Sequence, residues 1–95
     1  MHTINPEHAA PVAEALVQMG ANIRRGRKEA FRESREVFAR RLGCSPVTLD
    51  RIENGEPGVA VIYVLAALQA MHALGDVVRA SSPALLIATQ VPVDF

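Results

Sequence analysis

Residues 34–55 read S-R-E-V-F-A-R-R-L-G-C-S-P-V-T-L-D-R-I-E-N-G, and the spacing within this run decides the fold. Ser34 stands just before Arg35-Glu36-Val37, where a serine oxygen can accept a hydrogen bond from the free amides of a helix's first turn. Phe38, Ala39 and Leu42 share the inner face of that helix, and Gly43 ends it, since a left-handed residue is least costly as glycine. A second start follows at once. Ser45 offers another cap, and Pro46 fits the first helical position, where its missing N–H costs nothing. Leu49 and Ile52 turn inward from this second helix, which stops at Asn54-Gly55. A steep crossing of two short helices needs a small residue, supplied by Ala39, and apolar plugs on both sides, supplied by Phe38, Leu42, Cys44, Leu49 and Ile52. The run predicts a helix-turn-helix.

Working outward, Val12, Leu16, Met19 and Ile23 recur at three- and four-residue steps, which predicts a helix over residues 11–28 with Pro11 in its first turn. Residues 1–10, holding Asn5, Pro6, His2 and His8, read as a loose arm, and residues 29–33 as a turn. On the other side, Glu56-Pro57-Gly58 is a loop by composition. A helix over residues 59–71 is apolar around most of its circumference, so it lies centrally or shares its surface with a second molecule. A short helix over residues 74–80 follows, broken by Ser81-Ser82-Pro83. Residues 85–93 (LLIATQVPV) suit a strand, a last helical turn or an ordered tail. The expected architecture is all-α, a compact bundle of about five helices. Its parts are a flexible arm (1–10), a core domain (11–82) and a C-terminal extension (83–95) serving dimerisation.

Ninety-five residues, 49% of them hydrophobic, suit a single core. The formal charge is zero, yet residues 20–56 hold nine Lys/Arg against six Asp/Glu, a local surplus of three positive charges. That asymmetry suits an anionic partner, as well as the plainer reading of a solvated helix face. Cys44 is the single cysteine, which excludes an internal disulfide framework and a Cys-rich zinc site. The start does not resemble a secretory signal, and the apolar run at residues 59–68 is too short for a bilayer span of about 20 residues. A cytoplasmic location without membrane contact is expected. His2, His8 and His72 have neither ligand spacing nor a partnered nucleophile, and no Gly-rich phosphate loop is present, so neither an enzyme nor a cofactor or metal site is expected.

The same run resembles the lambda-repressor/Cro-like helix-turn-helix family, also called the XRE family, which includes phage repressors and HipB-like antitoxins. Ile23-x-x-x-Arg27 looks like that family's usual end of helix 1, and the resemblance covers roughly residues 14–80. Three features depart from its pattern: Arg35 replaces a usual glutamine, Glu33 takes a commonly apolar place, and the turn after helix 1 is one residue longer. The resemblance implies that the helix after Gly43 is a recognition helix, with Ser45, Pro46, Val47, Thr48 and Arg51 facing the major groove of double-stranded DNA. Arg51 can offer a bidentate fork to guanine, whereas Pro46 and Val47 can read only shape or a thymine methyl. Arg35, the amides behind Ser34, and Asn54 would hold phosphates. Arg40 and Arg41 are read as solvated, Cys44 and Tyr63 as core. Family members commonly join helix 1 to the end of helix 3, which implies an Arg27–Glu53 ion pair. The implied function is a dimeric repressor on a palindromic operator, with a cognate toxin as a further partner in the antitoxin branch. The alternative is a protein-interaction module that keeps the fold without binding DNA.

Overall fold

Asn5 caps the first helix, its side-chain oxygen accepting from the Glu7 amide at 3.1 Å, with Pro6 at the first helical position. A computed structural model describes residues 4–84 and 87 of the chain. In it α1 spans Pro6–Arg25, so residues 6–10, expected as part of a loose arm, instead extend the helix, and Pro11 falls in its second turn. The helix tolerates that proline because Glu7 and Pro11 are exposed, leaving the carbonyl that loses its donor open to water. Ile23 is buried and Leu16 and Met19 are half-buried, but Val12 is 43% exposed. The expected apolar face is therefore covered only along its C-terminal half.

The expected turn over residues 29–33 is also corrected. The first helix continues as a π-helical turn, Gly26–Phe31, and stops at Arg32, whose φ of 54° is left-handed. The carbonyl of Arg27 closes this end by accepting from the Glu33 amide at 3.2 Å. The wider turn brings Phe31 against Phe38, ring centroids 5.3 Å apart, with the Arg41 guanidinium 5.1 Å from the Phe31 ring. Arg41, read as solvated, is instead held by Glu33.

Helix α2 spans Arg35–Leu42 and α3 spans Pro46–Glu53, each started by its expected serine: Ser34 Oγ accepts from the Val37 amide at 3.2 Å and Ser45 Oγ from that of Thr48 at 3.1 Å. Gly43 has φ 79° and Gly55 φ 72°, the left-handed values that the two helix ends require. Helices α4 (Val61–Ala70) and α5 (Leu74–Ala80) complete an all-α bundle in which no strand occurs among the described residues. None of its described helices is long and apolar enough to cross a membrane. The reading of residues 85–93 lies outside the described residues except for Ile87, which is exposed.

Ile23, Phe38, Ala39, Leu49, Ile52 and Ala67 form the buried cluster, so α1, α2, α3 and α4 each contribute to one core. Cys44 and Tyr63 pack against it, and burial pushes the Cys44 thiol above its ordinary pKa. Where α1 meets α3, Gly20 lies so close that a β-carbon there would sit 2.4 Å from the Ile52 carbonyl oxygen. The absent side chain is what lets these two backbones touch.

Candidate nucleic-acid interface

Packing fixes which side of α3 is free. Leu49 is fully buried, Ile52 is 6% exposed and Glu53 2%, so the helix is held from its inner face and from its C-terminal end. On the other side Ser45, Pro46, Val47 and Arg51 are exposed, with Val47 at 63%, and Thr48 is half-buried. Ser45 Oγ donates to Thr48 Oγ1 at 3.1 Å while accepting the Thr48 amide, which leaves the Thr48 hydroxyl proton free to point outward. The Arg51 side chain makes no hydrogen bond or ion pair with another described residue, while its carbonyl accepts from the Glu56 amide at 3.0 Å. The five α3-side positions expected at a groove are thus on one short element, with its apolar back locked in the core.

The expected phosphate-holding residues are placed differently. Asn54 is exposed, but its amide is engaged on both sides: Arg24 Nη2 donates to Oδ1 at 2.6 Å, and Nδ2 donates to Asp50 Oδ2 at 3.2 Å. Arg35 stands at the start of α2 with its side chain 42% exposed, 3.5 Å from Asp50 Oδ1 and 3.9 Å from Glu53 Oε1. Arg40 is exposed.

Beneath this face lies an ionic cluster. Arg27 donates to Glu53 through Nε at 2.7 Å and Nη2 at 3.0 Å, a bidentate pair inside the fold, and through Nη1 to the Glu33 carbonyl at 3.1 Å. Arg24 Nε adds a third bond to the same carboxylate at 3.2 Å. Burial by itself would raise the Glu53 pKa, but the bonds from Arg27 and Arg24 outweigh it and hold the carboxylate below its ordinary value. The Arg27 pKa is raised, chiefly by its bonds to Glu53. The cluster ties the C-terminal end of α3 to α1 and to the π-helical turn that continues it, and so sets the angle at which α3 is presented.

Arg24 and Asp50 were not read as functional from the sequence. The signal for Arg24 was present, because Gly20, Ile23, Arg24 and Arg27 follow the three- and four-residue steps of one helical face. For Asp50 only the bond to Asn54, four residues on, had such a signal; its meeting with Arg35 of α2 had none. Elsewhere, a groove of about 440 Å³ lies between Phe31, Arg41 and Leu42 on one side and Ala66, Gln69 and Ala70 of α4 on the other. It has no α3 residue in its lining and is separate from this face. No group of three or more His, Cys, Asp or Glu able to hold a metal occurs among the described residues.

Compared with known proteins, residues 18–84 match the model of a family described as "Helix-turn-helix domain". The match starts within α1 and runs past α5, so it takes in the whole core as well as α2 and α3. Neither a curated protein nor a solved structure matched the chain.

Proposed function

The chain belongs to this helix-turn-helix domain family, and from that premise we propose that it is a sequence-specific DNA-binding regulator, a dimeric repressor that occupies a palindromic operator. The family indicates DNA-binding regulation in general. The finer reading rests on one observation: the outer side of α3, with Val47 at 63% exposure and the Arg51 side chain exposed and unengaged among the described residues, is free while its inner side is fixed in the core. A helix held in this way can enter a major groove without giving up any packing. In this reading Arg51 carries specificity through a bidentate contact to guanine, Ser45 and Thr48 supply hydroxyls, Pro46 and Val47 read shape or a thymine methyl, and Arg35 takes a phosphate.

One helix-turn-helix reads only a few base pairs, so two copies would read half-sites about 34 Å apart. Val61 and Ile62 of α4, Val78 of α5 and Ile87 are each more than 60% exposed, and these apolar side chains are our candidates for the two-fold contact. Deleting residues 83–95 should weaken the dimer and its DNA binding together. A truncated protein that stays fully dimeric by analytical ultracentrifugation would remove that part of the proposal.

Selecting bound duplexes from a random pool should return a palindrome with a guanine at one fixed place in each half. On that duplex, Arg51→Ala should cost about 1–3 kcal/mol of binding free energy and relax the preference at that guanine. Unchanged affinity and unchanged preference in this variant would reject the role given to Arg51.

A further inference from the structure

Arg35 is unusual among the cations of this face. Its Nε is buried and has no hydrogen-bond partner among the described residues. Its two carboxylate neighbours are at ion-pair distance, 3.5 Å to Asp50 and 3.9 Å to Glu53, and no hydrogen bond joins it to either. Glu53 Oε1, the oxygen that faces Arg35, already accepts from Arg27 and Arg24. Arg35 is therefore held by charge alone, with its donors unspent. A guanidinium carries five N–H donors in a fixed fork that suits a phosphate.

Asp50 is the group that competes for it. It sits on α3, one residue before Arg51, and both of its oxygens face protein cations or donors: Oδ1 faces Arg35 and Oδ2 accepts from Asn54. Both of the residues expected to hold phosphates are thus neutralised or engaged by a single carboxylate on the recognition helix. The Arg35–Asp50 pair is 42% exposed on each side, the kind of contact that water and salt loosen easily.

We propose that Asp50 is a selectivity residue: it masks Arg35 in the free protein and releases it only when α3 seats in a matching groove and a phosphate comes within reach. On a mismatched duplex α3 does not seat, Arg35 stays with Asp50, and a carboxylate rather than a free cation faces the backbone. The effect is to suppress binding to arbitrary sequence, the term that competes with operator occupancy. This inference rests on the DNA-binding reading above and assigns a role within it.

The test compares wild type, Asp50→Asn, Arg35→Gln and the double variant on two probes, a random-sequence 30-base-pair duplex and the duplex returned by selection, across a salt series. Asp50→Asn should bind the random duplex about three- to tenfold more tightly at 0.1 M salt, with the logarithmic salt slope steeper by about one. The selected duplex should gain less, so the ratio between the two probes falls. In the Arg35→Gln background most of the gain should vanish, because the two residues act on each other. Equal gains in both backgrounds would overturn the masking role, and so would a loss confined to the selected duplex, which would mark Asp50 as a direct base contact. Wild-type protein that binds neither probe at any salt would instead overturn the DNA-binding reading, and this inference with it.

Discussion

Replacing Glu53 by alanine should lower the stability of the chain by about 3–5 kcal/mol, because it leaves the Arg27 guanidinium buried without a counter-charge. The carboxylate is 0% exposed and Arg27 is 6% exposed at the side chain, so water cannot substitute for it. Arg24 loses one partner as well, although it is 34% exposed and suffers less. A domain of this size has on the order of 5–14 kcal/mol in total, so the variant would lose a large share of its stability. Its melting temperature should fall by at least about 12 °C. An unchanged melting temperature would mean that the pair does not hold α3 to α1.

The same residue predicts how stability responds to acid. Because the folded-state pKa of Glu53 is depressed, its contribution is complete above the unfolded carboxylate value of about 4.3. It is lost as pH falls below that value and through the lower folded one. Removing Glu53 should flatten this part of the acid limb in addition to lowering the plateau.

Gly20→Ala should be the second large loss, about 2–3 kcal/mol in a urea or thermal unfolding curve. On an open helix surface the exchange would stabilise by up to about 1 kcal/mol through propensity. Here the new methyl would stand 2.4 Å from the Ile52 carbonyl oxygen and 2.6 Å from that of Glu53. Those are backbone atoms of α3 and cannot rotate aside, so α1 and α3 must separate, loosening Ile23 against Ile52 and stretching the Arg27–Glu53 pair. Gly75→Ala is the control: on α5 the nearest atom is the flexible end of Arg79 at 3.5 Å, and the exchange should be neutral or mildly stabilising. A Gly20→Ala protein as stable as the parent would show that the helices have room the packing does not suggest.

The residues that fix α2 and α3 act locally, which is why that part could be read from the chain. Ser34, Ser45 and Gly43 each determine the backbone within a few residues of themselves, and the spacing of Phe38, Ala39, Leu49 and Ile52 names the buried face directly. The start of α1 carried the same kind of signal, an asparagine cap before a proline at residues 5–6, but the second proline at residue 11 masked it. The π-helical turn had no local sign, because it depends on Arg27 reaching Glu53 and on Phe31 meeting Phe38 across the fold. For the site, the outward positions of α3 follow from helical period once its inner face is known. The Asp50–Asn54 bond is a local step of four residues and follows in the same way, but Arg35 meeting Asp50 and Arg24 meeting Asn54 do not, since each needs two separate helices to have packed.

With the outer side of α3 in a DNA groove, titration with the selected duplex should move the amide chemical shifts of that helix. The largest changes should fall on residues 45–51 and on Arg35 at the start of α2, with Leu49 moving least within α3. Changes confined to α4 and α5, or none at all at saturating duplex, would contradict the assignment of this helix and the regulator reading built on it.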